Sequence, residues 1–309
     1  MEKIKSKKIL VVGGTGFIGS HLVKKCLEIG WKVTSLSLKK RKLKKKNKNL
    51  KYIFADFTKI DALKKKIKLD FDYIVNLGGY IDHSNEKKKN LKILNNHFYS
   101  TVNLISLNKK KIKKYLHIGS SDEYGQNKSP VRETFREDPR STYALAKSMS
   151  SNLLLSLYKE KKFPATIIRL FLVYGPNQKR DRLIPYVIFN SLKGKPINLS
   201  KGNQLRDFCY IDDVIDAIIL CLKSKKANGH IFNVGSGKPI TVKDIVKKIV
   251  TITGNGNLRF NKKITKKKEN LQLYPSIKKI RSKIGWKQKT SLDIGLKKTI
   301  NFYKNILIQ

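Results

Sequence analysis

The sequence predicts an α/β chain: a doubly wound parallel sheet with a smaller C-terminal lobe interleaved with it. Three observations predict this. Short apolar runs alternate with amphipathic stretches from Ile9 to Phe171. The first run ends in glycines that lead at once into a helical stretch. After Tyr174-Gly175-Pro176 the segments become shorter and more mixed. Alternating strand and helix signals joined by short loops give a parallel sheet covered on both faces. The expected boundary puts residues 1–174 in the sheet domain and 175–309 in the smaller lobe.

Taken in order, Ile9 to Val12 is a buried strand and Phe17 to Ile29 its helix. Lys32 to Leu38 is the second strand. Residues 39–51 hold nine Lys/Arg in thirteen positions and form a polar loop. Tyr52-Ile53-Phe54 is the third strand, Ile60 to Leu69 a short helix, and Asp72 to Leu77 the fourth strand, closing in Gly78-Gly79. Residues 86–108 form a long helix, and Tyr115 to Ile118 a fifth strand ending in Gly119-Ser120-Ser121. A loop with Pro130 and Pro139 leads to a helix from Thr142 to Lys161, and Ala165 to Phe171 is the sixth strand. The smaller lobe takes a helix near 183–193, a strand near 207–211, a helix over 212–223, a strand over 230–234 and a helix over 241–252.

Composition narrows the classes. A hydrophobic content of 40% over 309 residues is ample for a core. The net charge of +46 comes from 68 Lys+Arg against 22 Asp+Glu. Lysine far outnumbers arginine and is spread over the whole chain, so the charge reads as a solvated cationic surface rather than a specific nucleic-acid site. Cys26, Cys209 and Cys221 have no paired or metal-like spacing and sit in apolar contexts, as buried thiols of a reducing compartment do. No metal is expected. No 18-residue apolar run exists, so no membrane span is expected. The short apolar run at the start breaks at Gly13-Gly14, too early for a signal peptide. A cytoplasmic protein is expected.

Two constellations carry chemistry. Gly14, Gly16 and Gly19 fit G-x-G-x-x-G, and Gly13, Gly16 and Gly19 fit the looser G-x-x-G-x-x-G. A strand before and a helix after make this a dinucleotide loop, with pyrophosphate at the helix N-terminus. Tyr143 and Lys147 stand at i and i+4, on one helix face. A lysine ammonium beside a phenol favours the phenolate, which gives a base for a sugar hydroxyl. Ser120, with Ser121 as its substitute, stands at a strand end, where a doubly wound sheet places ligands.

With these residues the chain resembles the extended short-chain dehydrogenase/reductase family, in its group of nucleotide-sugar epimerases, dehydratases and reductases. Further matches are Asp56, the stretch from Gly119 to Gly125, Arg169 to Pro176, Arg206 to Val214, Ile231 to Gly237, and Lys283 to Trp286. The resemblance implies a Rossmann sheet, a homodimer and a nucleotide-sugar substrate. Tyr143 would be the acid/base, Lys147 would hold the nicotinamide ribose, and Ser120 would bond the reacting oxygen. The cofactor-facing set would be Gly13, Gly16, Phe17, Ile18, Gly19, Ser37, Lys39, Arg41, Asp56, Phe57, Gly78, Gly79, Tyr143 and Lys147. Arg206 and Arg182 would hold the substrate nucleotide. Bland alternatives stand beside these: Asp56 as a turn cap, and Arg206 paired with Asp207 or Asp213.

Three departures from the family pattern matter. No Asp or Glu occurs between Ile29 and Ala55, where an acid would select NAD; Ser37, Lys39, Lys40 and Arg41 favour the 2′-phosphate of NADP over NAD. Leu172 stands where the family often has Asn. Lys266 to Lys268 replace a C-terminal arginine, losing its bidentate fork. The expected reaction is C4 reduction or epimerisation of a sugar nucleotide. The alternative is 4,6-dehydration, with Asp122, Glu123 or Ser121 as additional acid or base. An alternative of another class is a non-catalytic NADP- or RNA-binding protein on the same fold.

Overall fold

The computed structural model describes residues 6–38, 47–67, 70–79, 87–107, 112–260 and 270–308. The chain divides into two compact units. One comprises Met1–Gly125, Arg136–Arg169 and Ile215–Phe232; the other comprises Gln126–Phe135, Leu170–Val214 and Asn233–Gln309.

The first unit opens with strand β1 (Lys8–Val12), helix α1 (Phe17–Glu28), β2 (Lys32–Ser37) and β3 (Leu50–Phe54). Helix α2 (Ile60–Lys66) and β4 (Tyr73–Asn76) follow, then α3 (Lys87–Leu94), a π-helical turn (Asn95–Tyr99) and α4 (Ser100–Ser106). Next come β5 (Lys114–Ser120), a 3-10 turn (Ser121–Tyr124), α5 (Thr142–Lys161) and β6 (Ala165–Leu170). The helix expected over 86–108 thus runs from Lys87 to Ser106 with one π-helical turn in its middle.

The rest of the chain adds β7 (Leu172–Tyr174), α6 (Leu183–Leu192), β8 (Pro196–Leu199), β9 (Leu205–Arg206) and β10 (Phe208–Tyr210). It continues through α7 (Ile211–Lys223), β11 (His230–Val234), β12 (Ile240–Thr241) and α8 (Val242–Thr253). It ends with β13 (Asn257–Phe260), β14 (Gln272–Leu273), α9 (Lys278–Ile284) and α10 (Leu292–Ile308).

Seven strands form one sheet in the order β11-β6-β5-β4-β1-β2-β3. Every pairing from β5 to β3 is parallel. Strands β1 and β4 are buried along almost their whole length, as apolar runs covered on both faces must be. Leu10, Val12, Leu36, Ile74, Tyr115 and Ile167 meet in one core. The sequence order reverses beside β1, so the C-terminal ends of β1 and β4 flank a switch point, the place where such sheets hold ligands.

Several parts of the chain depart from the expected division at residue 174, with residues 170–174 in the second unit and Ile215–Phe232 in the first. Strand β11, expected in the smaller lobe, is an edge of the main sheet beside β6. Residues 126–135 belong to the second unit. That unit is tied together by buried acids. Asp207 accepts from the Ser236 and Gly237 backbone N–H groups, each at 2.6 Å, and Asp213 accepts from those of Lys289 and Thr290. All three cysteines are free and buried, as expected. No helix among the described residues is long and apolar enough to cross a membrane.

Candidate active site

The glycine loop after β1 has the geometry its sequence demands. Gly13 takes φ +79°, and its N–H donates to the Leu36 carbonyl at 2.7 Å. A side chain at Gly19 would bring Cβ within 2.2 Å of the Gly13 carbonyl. Glycine at both points lets α1 start directly against the loop. Gly16 is the N-cap of α1 and supplies no side-chain bond to its first turn, so the leading N–H groups are available to an anion. Gly16 is exposed, and its Cα faces open space apart from the Gly13 carbonyl. This bare cradle fits a dinucleotide pyrophosphate.

Neighbouring residues shape the cradle. The Ser37 hydroxyl accepts from the Thr15 N–H at 3.3 Å and the Thr15 hydroxyl at 3.0 Å, tying the end of β2 to the loop. Phe17 packs edge-on against His21, and Ile18 is half-buried. One Asp56 oxygen accepts from both the N–H and the hydroxyl of Thr58, so the acid does cap its turn. Phe57 is a core residue beneath Gly78, where a Cβ would meet its ring at 3.1 Å. Asn76 holds the Gly78 N–H through its Oδ1 at 3.0 Å and donates to the buried Tyr115 and Thr101 hydroxyls. Lys39, Lys40, Arg41 and Lys266 to Lys268 lie outside the described residues.

Tyr143 and Lys147 lie in the first turns of α5, whose N-cap Ser141 accepts from the Ala144 N–H. Both side chains are buried, with the Lys147 Nζ 6.0 Å from the Tyr143 ring centre. The ammonium donates to the Ile118 carbonyl of β5 at 2.7 Å. Burial pulls the Lys147 pKa down to about 8, and the Glu123 carboxylate opposes that pull. Ser120 closes the same strand two residues later. It is half-buried, and its Oγ accepts from the Asp122 N–H at 3.2 Å.

Of the additional acid candidates, Ser121 is buried and Asp122 half-buried. Glu123 has no exposed surface. Its Oε1 accepts from the Ser120 N–H at 2.8 Å. Its Oε2 accepts from Ser151 at 3.0 Å and from Arg169 Nε at 2.8 Å, and pairs with the terminal Arg169 nitrogen at 2.8 Å. Every acceptor direction of this carboxylate therefore points into protein.

Sequence reasoning missed three groups here. Arg169 is fully buried, stacks 4.6 Å from the Tyr124 ring and also pairs with Glu137. Burial works against its charge, and Glu123, Tyr124 and Glu137 outweigh it. The signal was present: a charge inside an apolar strand needs a buried acid. His97, in the π-helical turn, stands edge-on to Tyr143 with ring centres 5.0 Å apart. His117, on β5, is fully enclosed, and burial, then Lys147 and His97, hold it well below the usual histidine range. Neither histidine carries a periodic signal in the sequence.

The proposed substrate arginines lie in the second unit. Arg206 is on β9 and donates to its own Leu205 carbonyl at 2.9 Å. Arg182 stands at the start of α6, half-buried. Asp207 and Asp213, the alternative partners of Arg206, are held by backbone donors. Leu172 is 41% exposed on β7.

Residues 9–235 match the model of the NAD dependent epimerase/dehydratase family. An uncharacterized protein of Methanocaldococcus jannaschii is 30% identical, with 97% of each chain covered. A trifunctional UDP-glucose 4,6-dehydratase/UDP-4-keto-6-deoxy-D-glucose 3,5-epimerase/UDP-4-keto-L-rhamnose-reductase of Arabidopsis thaliana is 25% identical across 98% of this chain. The chain spans about half, 48%, of the length of that relative. Among solved structures, UDP-glucuronic acid 4-epimerase from Bacillus cereus, in complex with UDP-glucuronic acid and NAD, superposes with a TM-score of 0.85. It is 26% identical, over 97% of this chain and 99% of the other.

Proposed function

The chain belongs to the NAD dependent epimerase/dehydratase family, and within it we propose that it is a nucleotide-sugar oxidoreductase or epimerase acting at C4 of the sugar. The observation that carries this reading is the enclosed Tyr143–Lys147 pair joined to β5 through the Ile118 carbonyl, two residues before Ser120. The dinucleotide would lie on the loop of Gly13, Gly16 and Gly19, with Gly78 and Gly79 beside it. Its nicotinamide ring supplies a hydride acceptor and donor.

The protein's own groups do the rest. Tyr143 takes the proton from the C4 hydroxyl on oxidation and returns it on reduction. Lys147 holds a positive charge beside the phenol, which favours the ionised form the base needs. Ser120 donates to the reacting oxygen, and its place is fixed through its own N–H by Glu123. Burial of Tyr143 and Lys147 keeps water away from the proton being moved. Arg206 and Arg182 are proposed for the nucleotide phosphates, and the homodimer of the resembling group is proposed for this chain.

NADP is proposed over NAD because no acid occurs between Ile29 and Ala55 and Lys39 and Arg41 follow Ser37. The solved Bacillus cereus relative holds NAD, so the choice rests on those residues of this chain alone. The second reading is 4,6-dehydration. It is favoured by Asp122, whose N–H is bonded to Ser120, and it narrows the additional acid from Glu123 to Asp122.

One experiment tests both readings. A panel of sugar nucleotides is screened for a rise in melting temperature with NADP and with NAD, and the hits are assayed for turnover. Binding to the folded state alone raises stability by about 2.7 kcal/mol at a hundredfold excess over Kd. Tyr143→Phe should bind the hits and lose roughly 10²–10⁴-fold in kcat. A 4-keto-6-deoxy product formed without external NADPH selects the dehydratase. If no sugar nucleotide binds or turns over while RNA is retained at physiological salt, the enzyme reading fails.

A further inference from the structure

Glu123 is enclosed, charged and fixed on four donors, and no step described above uses it as an acid. Its two oxygens face two elements of the site. Oε1 is bonded to the Ser120 N–H of β5, and Oε2 to the Ser151 hydroxyl of α5. Ser151 is four residues after Lys147, on the same helix face. Lys147 in turn holds the Ile118 carbonyl. The ammonium and the carboxylate therefore grip the same short piece of β5, at Ile118 and Ser120, and the carboxylate meets α5 at Ser151, one turn beyond Lys147.

The fit around the carboxylate is tight. A Cβ on Gly119 would lie 2.4 Å from Glu123 Oε1 and 3.2 Å from Arg169 Cγ. Only a glycine between Ile118 and Ser120 leaves space for this acid. Arg169 clamps the far side and is held by Glu137 and the Tyr124 ring.

We propose that Glu123 is a positioning residue whose buried negative charge keeps the Lys147 ammonium protonated in the enclosed site while its Oε1 fixes Ser120. This deepens the proposed function and rests on Lys147 being the lysine of that site. Charges attract strongly where water is excluded, and Lys147 has lost nearly all of its hydration. The other charged or titratable groups around it are Tyr143 on its own helix, His117 on β5, His97 on the π-helical turn and Arg169 on β6 with its second partner Glu137. Arg169, and either histidine if protonated, can only repel the ammonium; Glu123 favours it. Burial alone takes Lys147 toward a neutral amine, which gives a phenolate no support.

The test follows the charge of Lys147 directly. A buried, hydrogen-bonded ammonium exchanges its protons slowly, so its Nζ signal survives where solvated lysines are lost. In the ¹⁵N-labelled chain without substrate this signal, assigned by its loss in Lys147→Arg, should titrate near pH 8. Glu123→Gln keeps the shape and removes the charge, so the midpoint should fall; Glu123→Asp should restore it. The alkaline limb of kcat/KM, which reports the free enzyme, should move down with it. Above the midpoint that shift costs about tenfold in activity per pH unit moved. Glu123→Gln leaves Arg169 with one partner, so Glu123→Gln/Arg169→Gln provides a version with neither buried charge.

A midpoint that falls from wild type to Glu123→Gln, or from Arg169→Gln to Glu123→Gln/Arg169→Gln, supports the coupling. A midpoint unmoved in both comparisons overturns it, even where activity drops uniformly. Absence of turnover in the wild-type chain would strike at the proposed function and leave the titration readable.

Discussion

Arg169 carries a full charge near the end of β6 with no exposed surface. The strand Ala-Thr-Ile-Ile-Arg-Leu is buried throughout, and hydropathy alone would fill the fifth position with another aliphatic residue. What permits arginine is the acid three residues past the end of β5, with a second from Glu137. Truncating one partner of such a pair leaves the other charged and dry, which costs about 3–5 kcal/mol. Arg169→Met is therefore expected to lower unfolding free energy by that amount in a denaturant titration. Glu123→Met/Arg169→Met should recover most of it, since replacing both partners by apolar groups is often neutral. A single variant as stable as the wild type would show that Glu137 and Tyr124 alone hold this region. Tyr143, Lys147 and Ser120 were legible because their types and spacing are chemical. Glu123 was legible only as an acid: its direction is set by Gly119 and Arg169, which adjoin it in space and not in pattern.

The long helix carries one widened turn. Leu94, Phe98 and Ile105 face neighbouring helices or the sheet core, and that stripe was readable as helical periodicity. The extra residue that widens the turn at Asn95–Tyr99 has no such signature, and π-helical turns recur at functional sites. Here the wide turn places the His97 carbonyl where Thr101 donates at 2.8 Å and Ser150 of α5 at 3.2 Å. The imidazole lies between Gly79 and Tyr143. A Cβ on Gly79 would come within 2.1 Å of the ring, at a φ of +105° that side chains rarely adopt. Gly79→Ala should push His97 onto Tyr143 and destabilise the protein by about 1–3 kcal/mol. In a double-mutant cycle with His97→Ala, the pair should cost less than the sum, by roughly 0.5–3 kcal/mol. Additive losses would mean that the strain is in the backbone and not in the contact. Strand starts were misjudged by about two residues at β3, within the usual fraying of element ends, because Leu50 and Lys51 continue a lysine-rich loop into the sheet.

For the whole molecule the dominant quantity is charge. A net +46 makes copies of the chain repel one another at low salt. Yet Leu91, Tyr99 and Leu145, on α3, the π-helical turn and α5, are 64%, 49% and 45% exposed, and apolar side chains left on neighbouring helices suit self-association. The Debye length shrinks from about 30 Å at 0.01 M salt to about 8 Å at 0.15 M. The proposed homodimer should therefore sediment at twice 35.5 kDa near physiological ionic strength and shift toward the monomer as salt is removed. A monomer mass at every concentration and salt level would count against it. The sheet class was legible from alternation alone, since six of its seven strands arrive in sequence, most of them followed by a helix. The placement of β11 was not, because a short apolar strand preceded by Gly229 reads the same in either unit.

That edge strand also sets a timetable. During synthesis the first six strands emerge while the seat beside β6 is still empty, and roughly 60 further residues separate Leu170 from His230. At about 5–20 residues per second the open edge waits several seconds for its closing strand. Through that interval β6, bearing Arg169, presents unpaired backbone groups, the kind of edge that recruits other chains. The nascent protein is thus most exposed to mispairing just before its sheet is finished, when β5, which carries Ser120, already has both neighbours and its outer neighbour has only one.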